Sequence, residues 1–244
     1  MVDVQKDMGD KGMGLIGNGW DRLIRQDDLA DALEWSRKKR NKALVYPTEE
    51  NVLNAFQLCP PEDTFVVIVG QDPYPGTDKD GVPHAHGLAF SSESKVSIPG
   101  SLQNVFKELE RTYGVLRTNP NLEDWARQGV LLLNMSLTVE AGKPGSHRGR
   151  YWDRVTINAI RFLTAKCSNI VFMLWGNDAQ TIIPWIHASN PHIVLRAVHP
   201  SPMSAHKGFL GCEHFRKANE YLVGVTGVSQ SNRVPRIIDW IGKG

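Results

Sequence analysis

The chain has 244 residues and a formal charge of +2, enough length for one large α/β domain and too little net charge for composition alone to announce a nucleic-acid partner. Its three cysteines, Cys59, Cys167 and Cys212, form no C-x-x-C pair, which argues against a disulfide framework or zinc site and for a reducing compartment. No apolar run approaches the ~18 residues of a membrane span, so no membrane partner is expected and an intracellular protein is, cytoplasmic or nuclear according to its source.

The glycine-rich, charged stretch 1–19 lacks the apolar core of a secretory signal and reads as a disordered lead to one domain over 20–244. Asp21 to Arg40 has helical composition and ends on Arg37-Lys38-Lys39-Arg40. That run mimics a nuclear signal, but cations also suit a helix carboxyl terminus. Pro47-Thr48-Glu49-Glu50 opens a second helix, with acids beside the positive end of its dipole. The β-branched run Val66-Val67-Ile68-Val69 then stops at Gly70 and hands over to Gln71-Asp72-Pro73-Tyr74. Its length and composition fit a parallel strand buried on both faces, which delivers polar groups just beyond its carboxyl end. Taken alone, Asp before Pro is equally good turn chemistry.

Thr77 to His86 is a polar loop, and Gly87 to Phe90 returns to apolar character. Leu102, Val105, Phe106 and Leu109 form an i, i+3, i+4, i+7 stripe, which predicts an amphipathic helix opened by Pro99-Gly100-Ser101 and closed by Gly114. A short helix around Asn121 to Gln128 leads to a strand over Val130-Leu131-Leu132-Leu133 that ends at Asn134. Ile170 to Trp175 ends at Gly176-Asn177, and Ile193 to Val198 ends at His199-Pro200-Ser201-Pro202. With helices around Tyr151 to Lys166, Ala179 to His187 and Cys212 to Val223 between and after these runs, the alternation predicts βαβ units and a parallel sheet. Asp72, Asn134, Gly176 and His199 then converge on one edge. The charge is also uneven. Residues 141–217 carry ten Lys or Arg against three acids, a balance of +7, and six of the eight histidines. A polyanion partner fits such a segment, as does a solvated basic face.

The chain has no P-loop, no G-x-G-x-x-G after a strand, no G-x-S-x-G and no H-E-x-x-H. His84-Ala85-His86 lacks the further matched ligands a metal needs, so neither metal nor cofactor is expected. What remains at the strand ends is an Asp, a His, an Asn and aromatics, a set suited to stabilising a charged leaving group and reading a planar ring.

Gly70-Gln71-Asp72-Pro73-Tyr74, Gly87-Leu88-Ala89-Phe90-Ser91, Gly129-Val130-Leu131-Leu132-Leu133-Asn134, Leu174-Trp175-Gly176, and His199-Pro200-Ser201-Pro202 followed by Gly208-Phe209-Leu210-Gly211-Cys212 resemble the family 1 uracil-DNA glycosylases in order and spacing, from about Trp20 to Trp240. The resemblance implies a single-domain three-layer α/β/α fold with a central four-stranded parallel sheet. It implies a DNA repair glycosylase that flips uracil out and hydrolyses its N-glycosidic bond. Asp72 would orient water and support the cationic sugar; His199 would stabilise the uracil anion. Gln71, Tyr74, Phe90 and Asn134 would bind uracil, Phe90 by stacking, Tyr74 by blocking a thymine methyl and Asn134 by its amide. Ser101, Gly176, Asn177, Ser201, Met203 and Lys207 would hold DNA. The implied partners are uracil-containing single- and double-stranded DNA and a proteinaceous DNA-mimic inhibitor, met by a monomer.

The chain departs from the family's pattern at Pro75, where histidine is common, in a longer loop Thr77 to Pro83, in a proline-rich loop reduced to Ile98-Pro99-Gly100, at Asn177 in place of serine and at Met203 in place of leucine. None removes Asp72, Asn134 or His199. Two rivals are a non-catalytic DNA-binding accessory on the same fold, which intact Asp72 and His199 oppose, and a broader mismatch glycosylase accepting thymine or modified bases, which Tyr74 and the Asp72 carboxylate oppose.

Overall fold

In the computed structural model, which describes residues 14–94, 96–149, 151–224 and 237–242, the chain runs α1 (Gln26–Arg40), β1 (Val45–Tyr46), α2 (Asn54–Leu58), β2 (Val66–Gly70), α3 (Gly100–Tyr113), α4 (Glu123–Ala126), β3 (Val130–Asn134), β4 (Val139–Glu140), α5 (Trp152–Lys166), β5 (Ile170–Trp175), α6 (Asn177–Gln180), β6 (His192–Ala197) and α7 (His214–Gly224). The four apolar runs become one sheet in the order β3-β2-β5-β6, every pairing parallel, with helices around it. β2, β3 and β5 are buried at every residue, while the edge strand β6 is only partly covered. Unbroken Val/Ile/Leu runs belong where helices cover both faces of a sheet. A second sheet pairs β1 with β4 antiparallel; two-residue strands carry no readable periodicity.

The predicted stripe of α3 is buried at Leu102, Val105, Phe106 and Leu109, and Gly114 closes the helix at φ 70°. The basic end of α1 makes contacts within the chain, those of Arg37 and Lys38 on the surface. Arg37 pairs with Glu49, Lys38 with Glu34, Lys39 lies 5.6 Å from the Trp35 ring centre, and Arg40 donates to the carbonyls of Val45 and Pro47.

Several expected elements are shorter than the sequence implied. The helix over Asp21–Arg40 is interrupted, because Asp21 turns its carboxylate back to the N–H groups of Ile16 and Gly17 and closes a separate 3-10 turn at Gly19–Arg22. The helix expected from Pro47 becomes a 3-10 turn at Glu49–Asn51 before α2. The helix expected over Ala179–His187 splits into α6 and a 3-10 turn, Ile183–Trp185, at Pro184, whose ring removes a backbone donor. Of the lead expected over 1–19, residues 1–13 lie outside the described residues, whereas Ile16 is buried and Asn18 caps Trp20.

The far end of the chain returns to the core. Trp240 is 1% exposed, its ring centre 5.0 Å from Trp125 and 5.1 Å from Phe215. Its indole N–H donates to Phe215 O, and its carbonyl accepts from the Trp125 indole. Trp240→Ala should therefore cost roughly 3–5 kcal/mol, read as a lower urea midpoint. A loss below about 1 kcal/mol, the size of an ordinary substitution, would show that the terminal segment does not complete the core.

Candidate active site

The parallel strands release their polar ends on one side of the sheet, and the chain builds one cavity there. Gln71, Asp72, Tyr74, Phe90, Ser101, Asn134 and His199 line about 210 Å³, together with Gly70, Pro73, Pro75, Ala85, Leu88 and Pro144. That is room for a single planar ring.

Asn134 ends β3 directly opposite Gly70 and is 4% exposed. A Cβ on Gly70 would lie 2.2 Å from Asn134 Oδ1, so only glycine lets the carboxamide lie against the end of β2. Asp72 follows two residues later. Burial pushes its carboxyl above the usual range, opposed by the Gly145 N–H, which donates to Oδ2 at 2.5 Å, and by the Arg148 guanidinium. Arg148 in turn pairs with Asp178, at the start of α6.

His199 sits across the cavity. Its Nδ1 accepts the Ser201 N–H at 3.0 Å, which leaves the ring proton on Nε2. Burial holds the imidazole below its ordinary value and hence neutral, with Asp178 a weaker influence in the other direction. Gly176 at φ 91° is packed so closely that a Cβ there would lie 2.9 Å from His199 Cβ.

The Phe90 ring stands 5.8 Å from His199 and 5.2 Å from Trp175, centre to centre. Its backbone is left-handed, φ 63°, a conformation that costs a non-glycine residue free energy and is kept only where the surroundings impose it. The Tyr74 hydroxyl reaches Phe90 O at 3.2 Å and Ser101 Oγ at 2.9 Å, and burial pushes its acidity down.

The remaining expected residues lie outside the cavity lining. Ser201 supplies its N–H to His199, Gly176 backs the imidazole, and Asn177 and Lys207 are exposed. Met203 is 83% exposed, the most exposed of the large apolar residues described. Gly145, Pro144 and Arg148 were missed by sequence reasoning. The Pro-Gly dipeptide marks a turn, but nothing local shows that this turn folds over Asp72, seventy-three positions upstream.

Two departures have a structural outcome. Pro75 lines the cavity and accepts a bond from Gly142, and the loop Thr77–Pro83 is closed by Asp78, which accepts from the N–H groups of Asp80 and Val82 and from Ser94 Oγ. The ring nitrogens of His84 and His86 engage Ser92 and Ser91. Among the described residues no group of three or more His, Cys, Asp or Glu is placed to hold a metal, and no helix is long and apolar enough to cross a membrane.

A family model, the Uracil DNA glycosylase superfamily, matches residues 56–223. A uracil-DNA glycosylase of Phocaeicola vulgatus is 48% identical over 200 residues, covering 82% of this chain and 88% of that protein. The crystal structure of mimivirus uracil-DNA glycosylase superposes with a TM-score of 0.74 at 25% identity, covering 90% of this chain and 88% of that one. A variant of the mimivirus UNG in complex with UGI gives a TM-score of 0.75 at 25% identity, with 90% of both chains covered.

The His199 geometry is directly measurable. In an NMR titration of labelled histidine, His199 should carry its proton on Nε2 and titrate below the ordinary 6.5. A midpoint at or above that value, or a proton on Nδ1, would contradict the arrangement.

Proposed function

Because the chain belongs to the uracil-DNA glycosylase superfamily, we propose that its cavity receives one uracil turned out of DNA and that the residues around it divide the work of excision. The protein is a DNA repair enzyme of the base excision type, a hydrolase that cuts the N-glycosidic bond of uracil, releases the free base and leaves an abasic site. The observation that carries the division of labour is that Asp72, Asn134, Tyr74, Phe90 and His199 line the same ring-sized cavity. This convergence also disfavours the non-catalytic accessory.

The base must leave the duplex, since its glycosidic bond is out of reach in the stack. Inside the cavity Asn134 distinguishes uracil from cytosine by its amide, whose oxygen accepts from N3–H while its NH2 donates to O4. Cytosine presents the reverse pattern, leaving two buried polar groups unpaired at a cost that sites of this kind turn into roughly 10⁴–10⁵ discrimination. Phe90 offers its ring for stacking, and Tyr74 fills the space a 5-methyl needs. Gln71 completes the uracil contacts.

As the bond lengthens, the sugar becomes cationic and the departing base anionic. Asp72, ionised, faces the cation and orients the attacking water. Neutral His199 donates from Nε2–H to the uracil oxygen where negative charge collects, a preorganised donor that strengthens as the transition state is approached. Small or polar groups at Ser101, Gly176, Asn177 and Ser201, with Lys207, suit close approach to the backbone, and exposed Met203 suits a wedge into the gap left by the base. The proposed partners are uracil-containing single- and double-stranded DNA, with the protein acting as a monomer. The UGI-bound relative supports a protein inhibitor that mimics DNA as a further partner.

The direct test is a duplex oligonucleotide with one uracil, incubated with the protein and then hot alkali. Cleavage at uracil is expected, and its absence would sink the reading. Asp72→Asn should slow excision by orders of magnitude with little loss of DNA affinity. Because the ionised carboxylate acts and burial raises its pKa, kcat/KM should fall as pH drops through a midpoint above the usual 3.8. That limb should vanish in Asp72→Asn; its persistence would assign the titration elsewhere.

Base choice is tested separately by Asn134→Asp, which supplies an acceptor for the cytosine amino group. This variant should gain cytosine excision and lose uracil activity. Unaltered base preference would remove Asn134 from recognition.

A further inference from the structure

The Tyr74 phenol has one proton and two oxygen neighbours, Phe90 O at 3.2 Å and Ser101 Oγ at 2.9 Å. A carbonyl only accepts, so the phenol proton goes to Phe90 O and the second bond is donated by Ser101. The serine proton is thereby directed into the protein. While both bonds are made, this hydroxyl cannot donate to a phosphate, which likewise only accepts.

The two anchors belong to separately fixed elements. Ser101 lies in the first turn of α3, which is held by its buried stripe and by the bond from Asn104 Nδ2 to Pro200 O. Phe90 is fixed by its left-handed backbone and by ring packing against Trp175. An aromatic side chain turns about only two bonds, so anchoring its far end from two sides removes the swing by which the ring yields to a neighbour. The phenol is partly buried, where losing a partner is costlier than in water.

We propose that Ser101 is a specificity-determining positioning residue, whose hydroxyl, with the Phe90 carbonyl, clamps the Tyr74 phenol and so limits the size of the 5-substituent the cavity admits. This rests on the reading of Tyr74 as the stop for a 5-methyl. Ser101 acts through Tyr74 rather than on the base, and its contribution therefore disappears when the phenol is absent.

The test compares kcat/KM on duplexes carrying uracil, 5-fluorouracil, 5-bromouracil or thymine at one position. Bromine approaches a methyl group in size, whereas fluorine is close to hydrogen; both withdraw electrons, so their ratio reports size within each protein. Ser101→Ala should raise the bromo-to-fluoro ratio roughly three- to tenfold, the worth of one buried neutral hydrogen bond. Tyr74→Phe should raise it at least as much, and the double variant no further than Tyr74→Phe alone. Ser101→Thr, which keeps the hydroxyl, should restore the low ratio. A uniform fall on all four bases in Ser101→Ala, additive with Tyr74→Phe and with no change of ratio, would overturn the clamp and leave the serine only its proposed place against the DNA backbone. Tyr74→Ala separates the two levels. If it admits 5-bromouracil and thymine while Ser101→Ala leaves the ratio unchanged, the clamp alone fails; if it excises uracil but still rejects both, the stop itself is misplaced and the clamp falls with it.

Discussion

Asn134 can lie where the proposed base reader must stand only because Gly70 has no side chain. Parallel pairing sets these residues opposite one another at the ends of β3 and β2, and the carboxamide occupies the space a methyl would take. An amide so confined cannot turn to suit a second hydrogen-bond pattern, as the proposed discrimination requires. The other strand ends inherit their positions from the same register. β2 lies between β3 and β5, so fixing its carboxyl end also fixes where Asp72 leaves the sheet and where Gly176 enters beside His199.

Helix α3 ties the two sides of this edge together. Ser101 reaches Tyr74, beyond the end of β2, while Asn104 holds Pro200, beyond the end of β6. A Cβ on Gly100 would lie 2.7 Å from the Pro202 ring, so the helix start and the loop after His199 are in close contact. One turn further on, the buried Glu108 carboxylate accepts from the N–H groups of Gly211 and Glu213. Helix α7 begins at His214 rather than at Cys212 because the Glu213 backbone is left-handed, φ 57°, outside helical geometry. The helix whose apolar stripe completes the core thus also carries the polar groups that set the site.

Elements with strong periodicity or several turns were legible in the sequence. The four apolar runs, α3 and α5 fall within a residue or two of their expected limits, because burial of a face leaves a repeat in the sequence. Failures occurred where a few side-chain bonds outweigh propensity: Asp21 and Asn18 close a turn inside a helical composition, and Pro184 divides another. The cavity was legible in two ways: Asp72, Asn134 and His199 follow strand ends, where a parallel sheet delivers them, whereas Tyr74, Phe90 and Ser101 were named only through the motifs they share with the glycosylases. Gly145 was not legible, since its role depends on a loop returning over Asp72, and a backbone N–H leaves no mark in the residue type. The double anchoring of Tyr74 escaped for the same reason: one of its partners is a carbonyl.

One physical cause, removal from water, acts on Asp72 and His199 with opposite consequences. Burial penalises whichever form is charged, so it drives the carboxyl up and the imidazole down. For His199 this is useful without correction, because a neutral ring whose Nδ1 already accepts from Ser201 has its one proton on the nitrogen left to act as donor. For Asp72 the same burial works against its proposed role, which needs the ionised carboxylate. The fold offsets it with a short bond from the Gly145 backbone and the nearby Arg148 guanidinium. Both come from the turn around Pro144, which also walls the cavity. The turn that walls the cavity therefore also supplies the groups that oppose protonation of Asp72, and Arg148 gives the basic excess of residues 141–217 a local use.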